Sequence, residues 1–226
     1  LAALLILIVK AWYAIRKKNK QIALQSLRRE MNPHFLFNSL NSVNQFIAGN
    51  NELAANKYLS SYAGLMRRIM ENSNKDFISL GSELEQLTKY LDLEKLRFSE
   101  KFDYTISIDP KLDKDTIMVP NMIIQPNLEN AIWHGLRYRE TKGLLHIAFT
   151  KEDRKTCVTI SDNGIGYAQS KLLKTDNQKQ YESRGLHNVE ERINLLNQLN
   201  KSHITMDMFD KSTPETGVIV TIKWQA

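Results

Sequence analysis

A single proline, Pro33, interrupts a run of helix-forming residues that extends from about residue 12 to residue 48 without a glycine. Proline lacks a backbone N–H and crowds the carbonyl group four residues earlier, so a helix that passes through it bends or loosens. Apolar residues approximate a seven-residue repeat in this run, at Ile15, Ile22, Leu27 and Met31. The pattern predicts one continuous helix that enters a coiled coil and bends near Pro33.

The predicted bend exposes His34, which stands in the heptapeptide Asn-Pro-His-Phe-Leu-Phe-Asn. In a continuous helix, Glu30 and Asn38 lie four residues to either side of His34 and share its face. An isolated helical histidine is more often a structural residue than a reactive one. The interpretation of His34 therefore depends on motifs elsewhere in the chain.

A helical hairpin is predicted around Gly49-Asn50-Asn51, because this turn ends the first run and a second apolar-periodic stretch follows over residues 54–70. A hairpin with one apolar stripe cannot bury that stripe by itself. Pairing with a second copy as a four-helix bundle solves the problem, so we expect a homodimer.

An α+β two-layer sandwich is predicted for the second half of the chain. A third helix over residues 83–98, with Ser82 and Glu85 as its capping box, connects the hairpin to it. Helical periodicity over residues 121–136 and 186–199 predicts two helices on one face of a mostly antiparallel sheet. The strands of this sheet are expected where apolar and polar residues alternate, over residues 102–108, 144–150, 156–161, 203–209 and 218–224.

Charge and cysteine content exclude several classes of function. The formal net charge is +6, and residues 1–30 alone carry the whole excess, so no nucleic-acid-binding face is predicted. The single cysteine, Cys157, forbids an intramolecular disulfide and a cysteine metal site, and it suits a reducing compartment. Five scattered histidines offer no close pair of ligands for a metal-dependent hydrolase.

The amino-terminal residues indicate the end of a membrane helix. An apolar run over residues 1–9 precedes the aromatic pair Trp12 and Tyr13 and then the cations Arg16, Lys17 and Lys18. About 20 apolar residues are needed to span a bilayer, so we expect the upstream part of the helix to be missing and the cations to face the cytoplasm. A secretory signal is the rival interpretation, but there the charges precede the apolar run.

Two further motifs follow the histidine motif: QPNLENAIWHG at residues 125–135 and Asp-Asn-Gly-Ile-Gly at residues 162–166. In this order the three motifs resemble the sensor histidine kinases, most closely the LytS-like branch, over roughly residues 25–225. The resemblance implies a Bergerat-type ATP-binding domain, ATP and Mg²⁺ as ligands, and His34 as the phosphoacceptor. It leaves the base unclear, because Phe35 stands where an acidic residue is usual; Glu30 is a candidate, and Asn38 would orient the ring.

In the second motif the resemblance makes Asn130 the magnesium ligand, and it makes Glu129, on the same helix, a nucleotide-binding residue. His134 lies one turn further on the same face, where it would contact a phosphate. The family often has another asparagine four residues before the ligand, and this chain has Pro126. Gln125 or Asn127 is expected to compensate.

In the third motif Asp162 would accept a hydrogen bond from the adenine amino group, while Gly164 and Gly166 allow close backbone approach to the base. A simple hairpin turn is the alternative interpretation of the Asp-Asn-Gly tripeptide at residues 162–164. The polar residues 167–184 predict a mobile lid. After it, Gly185 and Leu186 resemble a helix start that favours phosphate, with Arg184 as an added cation.

The expected protein is a membrane-anchored, homodimeric sensor histidine kinase of a bacterial inner membrane, with this segment in the cytoplasm. It would autophosphorylate His34 from ATP and pass the phosphoryl group to an aspartate of a response regulator. A phosphatase-dominant member and a non-catalytic nucleotide-binding dimerisation module are the alternatives. The expected division is residues 1–15 for the membrane helix end, 16–98 for the dimerisation and phosphotransfer helices, and 99–226 for the ATP-binding domain.

Overall fold

The computed structural model describes residues 2–30, 33–98, 101–173, 176–200, 202–212 and 214–225. Its helices are α1 Ala2–Glu30, α2 Pro33–Ala48, α3 Glu52–Asn72, α4 Leu80–Phe98, α5 Ile124–Asn130, α6 Tyr167–Leu173 and α7 Asp176–Asn200. Its strands are β1 Phe77–Ser79, β2 Phe102–Ile108, β3 Met118–Pro120, β4 Gly143–Glu152, β5 Lys155–Asp162, β6 Thr205–Asp210 and β7 Val218–Gln225.

The helical half begins with α1 and α2, which lie on either side of residues 31 and 32. Because these two residues are not described, the predicted continuous helix with a bend near Pro33 stays a prediction. The predicted hairpin of α2 and α3 is confirmed: Asn50 in the turn has φ +52°. Asn51 then caps α3, because its Oδ1 atom accepts a hydrogen bond from the Ala54 amide at 3.1 Å. Among the described residues, no helix is long and apolar enough to cross a bilayer.

The connecting helix α4 starts earlier than predicted. The Ser79 hydroxyl accepts a hydrogen bond from the Ser82 amide at 3.3 Å, so Ser79 caps the helix and the predicted cap at Ser82 is wrong. The Ser82 side chain lies inside the first turn and instead accepts a hydrogen bond from Asn72 Nδ2 at 3.1 Å. This contact ties the end of α3 to the start of α4.

A five-stranded sheet in the order β2-β4-β5-β7-β6 forms the second half. All five predicted strands are present, and every pairing is antiparallel except that of β2 with β4. Buried residues of α4, α5 and α7 form one core with those of the sheet, including Leu91, Leu128, Leu196, Ile147 and Ile222. The predicted fold class, a helical hairpin followed by a two-layer α/β sandwich, is confirmed. The short pair β1–β3 was not predicted.

Two segments differ from the predicted secondary structure. The helix expected over residues 121–136 is α5 followed by a π-helical turn, Ala131–Gly135, and a 3-10 turn, Leu136–Tyr138. The segment expected to be a mobile lid, residues 167–184, is helical wherever it is described. Its Gln, Lys, Leu and Glu residues are good helix formers, and the missing period-2 alternation is explained by helix rather than by loop.

Candidate functional site

One pocket on the helical face of the sheet gathers residues of the second and third motifs. α5 and the π-helical turn supply one wall, the ends of β5 and β7 supply the floor, and α6 and α7 close the side. The lining residues are Asn127, Asn130, Ala131, His134, Gly135, Ile160, Asp162, Gly166, Tyr167, Ser170, Leu186, Met208, Val218 and Val220.

Asp162 is the buried acidic group of this pocket, and only 3% of it is exposed. Its Oδ1 atom accepts a hydrogen bond from the Gly164 amide at 2.7 Å, and its Oδ2 atom accepts one from the Val218 amide at 3.3 Å. Burial raises the pKa of Asp162 to about 6, although both amide hydrogen bonds lower it. The carboxylate is therefore held in one orientation, and each oxygen keeps a lone pair for a further donor.

Backbone packing beneath Asp162 requires glycine at position 164. A Cβ atom on Gly164 would lie 2.6 Å from the backbone of Gly135 and 2.7 Å from Asp162 Oδ1. The loop of the third motif is thus seated directly on the end of the π-helical turn, and the hairpin-turn alternative is wrong, because α6 follows it instead of a strand.

A third glycine, Gly217, was not singled out in the sequence. It has φ +119°, and a Cβ atom there would lie 2.1 Å from the Asp162 carbonyl oxygen. In the sequence, only its place in Thr-Gly-Val, just before a strand-like run, could have indicated a glycine with a special backbone conformation.

The wall formed by α5 and the π-helical turn carries three of the predicted residues: Asn127, Asn130 and His134. The π-helical turn begins at Ala131, directly after Asn130. Such turns are rare in proteins, and those that occur are frequently found at functional sites. Asn130 and His134 share the pocket as predicted, and of the two residues expected to compensate for Pro126, Asn127 lines it.

Gln125 and Glu129 point elsewhere. Gln125 Nε2 donates to Glu129 Oε1 at 3.1 Å, and neither residue lines the pocket. Burial raises the pKa of Glu129 to about 7, and the nearby charge of Glu129 raises the pKa of Glu94 on α4. Glu129 therefore faces the connecting helix, so the expectation that it contacts nucleotide is not supported by its position.

The first amides of α6 are capped by Asp210, the last residue of the edge strand β6. The Asp210 carboxylate accepts hydrogen bonds from the Tyr167 amide at 2.6 Å and from the Ala168 amide at 3.2 Å. This pair of contacts fixes α6 against the end of β6. Asp210 was missed in the sequence, because its partner amides are 42 or more residues away along the chain.

The predicted helix start at Gly185 is wrong. α7 begins at Asp176, so Gly185 and Leu186 lie within a helix and their amides are not at a free end. Leu186 lines the pocket with its apolar side chain. The side chain of Arg184 lies outside the described part of the structure, and its role stays a prediction.

The histidine motif is described only in the backbone of residues 33–38. His34 is the second residue of α2, Asn38 lies one turn further along, and Glu30 ends α1. The side chains of these three residues lie outside the described part of the structure, so their predicted roles stay predictions. Residues 31 and 32 are not described, and the shared face predicted for Glu30 and His34 is likewise untested.

Comparison with known proteins identifies the family. The family model "Histidine kinase" matches residues 22–102, which include the hairpin and His34. The chain is 32% identical to the sensor protein LytS of Oceanobacillus iheyensis over 84% of this chain and 33% of that protein. It is 30% identical to the sensor histidine kinase/phosphatase LytS of Staphylococcus aureus strain MRSA252, over 68% of this chain and 26% of that protein.

A solved catalytic domain of the histidine kinase ThkA is 15% identical over 66% of this chain and 93% of that chain, with a TM-score of 0.43. The chain belongs to the histidine kinase family, as its motifs predicted, and it is similar to LytS sensor proteins. The predicted Bergerat-type class of the α/β half agrees with this assignment. The chain spans between about a quarter and a third of the length of the curated relatives that it matches.

Proposed function

We propose that this chain is the kinase part of a sensor histidine kinase, which transfers the γ-phosphoryl group of ATP to His34 and then to an aspartate of a response regulator. The observation that carries the proposal is the pocket in which Asp162, Asn130 and His134 converge beneath a glycine loop. The match of residues 22–102 to the histidine kinase family supports the acceptor half of the reaction.

The pocket suits the base of ATP at its buried end. Asp162 accepts hydrogen bonds and cannot donate while it is ionised, so it selects a ligand with an amino group, as adenine has. Ile160, Val218 and Val220 supply an apolar surface for a flat ring. The free lone pairs of Asp162 and the glycine contacts below it are the features of this chain that fit such a ligand.

Asn130 is the residue that would hold Mg²⁺, through its amide oxygen. In the part of the chain that the structure describes, no three acidic, histidine or cysteine residues cluster to form a metal site. A single amide suits Mg²⁺, which keeps several waters and takes most ligands from phosphates. When bound, the ion neutralises charge that develops on the phosphates. His134, beside Asn130, would contact a phosphate oxygen.

His34 would act as the nucleophile. One ring nitrogen attacks the γ-phosphorus, a P–N bond forms, and the bond to the oxygen that leaves with ADP breaks. The proton of the ring passes to a base, for which Glu30 is our candidate, while Asn38 orients the imidazole. Arg184 would add a positive charge near the phosphates from α7.

The helical hairpin would pair with a second copy, and the amino-terminal residues would continue a membrane helix. Apolar side chains along α2 and α3 are solvent-exposed in the single chain, which supports a partner there: Leu40, Ile47, Leu53, Leu59 and Met70. Arg16, Lys17 and Lys18 fit the cytoplasmic end of such a membrane helix. The kinase part would thus lie at the cytoplasmic face of a bacterial inner membrane.

A phosphatase activity is the second candidate. One of the relatives is named a sensor histidine kinase/phosphatase, and it covers 68% of this chain. Dephosphorylation of a regulator would use the same hairpin surface.

The proposal is tested with γ-labelled ATP and Mg²⁺. Wild-type protein and His146→Gln, a change at an exposed histidine of the sheet, should retain label that is labile in acid and stable in alkali; His34→Gln should retain none. ATP binding without label in the wild type would contradict autokinase activity and favour the non-catalytic module. Faster loss of label from a phosphorylated regulator in the presence of the protein would support the phosphatase.

A further inference from the structure

Two buried polar atoms in the pocket have no hydrogen-bond partner among the described residues: the hydroxyl oxygen of Ser170 and the Oδ1 atom of Asn127. Each residue is only 2% exposed. Asn127 uses its other atom, Nδ2, to donate to the Ile123 carbonyl at 2.8 Å, which orients its amide. A buried polar group without a partner is destabilising, so two of them around one pocket indicate a polar ligand.

Ser170 is held in place by the backbone around it. Its amide donates to the Gly166 carbonyl at 3.0 Å, one helical turn from the loop that follows Asp162. The two hydrogen bonds from the first amides of α6 to Asp210 fix the start of the same helix. The Ser170 hydroxyl is therefore presented to the pocket by a short, capped helix.

We propose that Ser170 contacts the adenine base directly and contributes to the selection of adenine over guanine, an inference that rests on the proposed ATP-binding function. Ionised Asp162 only accepts, whereas the Ser170 hydroxyl can donate. Adenine offers an amino donor beside ring-nitrogen acceptors, which matches one acceptor and one donor. Guanine offers an oxygen acceptor beside an N–H donor, which reverses the pattern.

The base end of the ligand, rather than the phosphate end, fits Ser170. Asp162 and Ser170 are both almost fully buried, and Ile160 and Val220 line the same pocket. A triphosphate placed next to a buried carboxylate would be repelled and desolvated. Asn130 and His134, on the α5 wall, are the groups that would contact phosphate.

The test compares Ser170→Ala with Ser202→Ala. Ser202 is also a buried serine, but it lies outside the pocket and its hydroxyl donates to Asn197 Oδ1 at 3.3 Å. Dissociation constants for ATP, GTP and inorganic tripolyphosphate are measured by calorimetry, and melting temperatures are measured without ligand.

Ser170→Ala should weaken ATP binding by about 3- to 10-fold, reduce the preference for ATP over GTP, and leave tripolyphosphate binding unchanged. Its melting temperature should not fall, since the hydroxyl has no partner to lose. Ser202→Ala should show the opposite: a lower melting temperature and an unchanged ATP dissociation constant.

An ATP dissociation constant for Ser170→Ala within twofold of wild type would overturn the inference and leave Ser170 as a packing residue, with the proposed function intact. Equal weakening of ATP and tripolyphosphate would overturn the assignment to the base. Wild-type protein that binds no ATP would overturn the proposed function itself, and this inference with it.

Discussion

The two halves of the molecule differ in how they bury apolar surface. In the α/β half, helices and sheet share one core, and large side chains such as Phe149 and Trp224 are fully buried. In the described part of the helical half, apolar residues remain in solvent along all three helices: Ile6, Trp12, Ile15, Ile22, Leu40, Ile47, Leu53, Leu59 and Met70. The α/β half therefore has its own shared core within the single chain, whereas the helical half presents the kind of surface that a partner covers.

The same contrast applies to the two ends of the proposed reaction. The nucleotide end is organised in advance, because Asp162 is fixed by two amides and its loop is pressed against Gly135. The acceptor end carries His34 on α2, where the apolar side chains of Leu40 and Ile47 are exposed in the single chain. ATP binding should therefore survive disruption of the hairpin, whereas phosphoryl transfer should not.

Gly164→Ala should have the largest effect on the nucleotide end. The added Cβ would lie 2.6 Å from the Gly135 backbone, which cannot move without distorting the π-helical turn. We expect loss of measurable ATP binding by calorimetry. Gly64→Ala, on α3, is the matched control: its Cβ would meet nothing within 4 Å, so binding should be unchanged and the helix slightly more stable. ATP binding by Gly164→Ala at wild-type strength would show that the loop does not shape the site.

Asp162→Asn should weaken ATP binding by about 10- to 100-fold, the cost of a hydrogen bond to a charged group. The amide also disturbs the contacts with the Gly164 and Val218 amides, since its NH₂ group cannot accept.

Because the pKa of Asp162 is raised to about 6, adenosine affinity of the wild type should fall as pH drops through about 6. Adenosine carries no phosphate, so titration of ATP does not interfere. NMR titrations with ATP and with adenosine measure the weaker binding of the variant and the pH dependence of the wild type. A pH dependence of adenosine affinity that persists in Asp162→Asn would contradict the assignment of Asp162 as the titrating group.

Leu40→Glu should weaken the proposed dimer of the helical half without affecting ATP binding by the α/β half. Leu40 is half exposed on α2 in the single chain, and a carboxylate there would be buried in the proposed dimer. Analytical ultracentrifugation should show a dimer dissociation constant raised at least about tenfold, with unchanged ATP binding. Leu144→Glu, at an exposed leucine of β4, serves as the control and should leave the dimer intact. A stable dimer of Leu40→Glu would mean that the exposed stripe is not the interface.

Glu94→Gln should produce the smallest change, in stability. Glu94 is fully buried near Arg97, Glu129 and Trp133, and burial raises its pKa from 4.5 to about 8. A raised carboxyl pKa means that its protonated form favours the fold, so its contribution is complete below about pH 4.5 and is lost as pH rises through 8.

Urea unfolding should therefore show Glu94→Gln more stable than wild type at about pH 8.5, by on the order of 1 kcal/mol, and equal to it near pH 5. Glu85→Gln, an exposed position on the same helix that pairs with Arg68, is the control and should show no such crossover. Lower stability of Glu94→Gln at both pH values would indicate that the pairing with Arg97 outweighs the cost of burying the charge.

Local pattern predicted most of the α/β half. Period-2 alternation located all five strands of the sheet, because each has one buried face, and the motif spacing located Asn130, His134 and Asp162 in one pocket. The parallel pairing of β2 with β4 was not predicted. It depends on which strands meet after folding, and alternation within a strand does not encode that.

The misses share a physical cause, which is that tertiary contacts override local preference. The π-helical turn seats Gly135 against Gly164, and Asp210 caps a helix more than 40 residues away in sequence. Glu129 turns toward α4 although it adjoins Asn130 in the sequence. Ser170 carried no motif at all, and only its burial within the pocket distinguishes it from an ordinary helical serine.

The most direct measurement follows ATP binding and phosphoryl transfer together in two variants, one for each half. His34→Gln should bind ATP with the wild-type dissociation constant and retain no acid-labile label from γ-labelled ATP. Asp162→Asn should lose most of both. Acid-labile label on His34→Gln, or full labelling of Asp162→Asn at an ATP concentration that does not saturate it, would contradict the proposal that this pocket supplies His34.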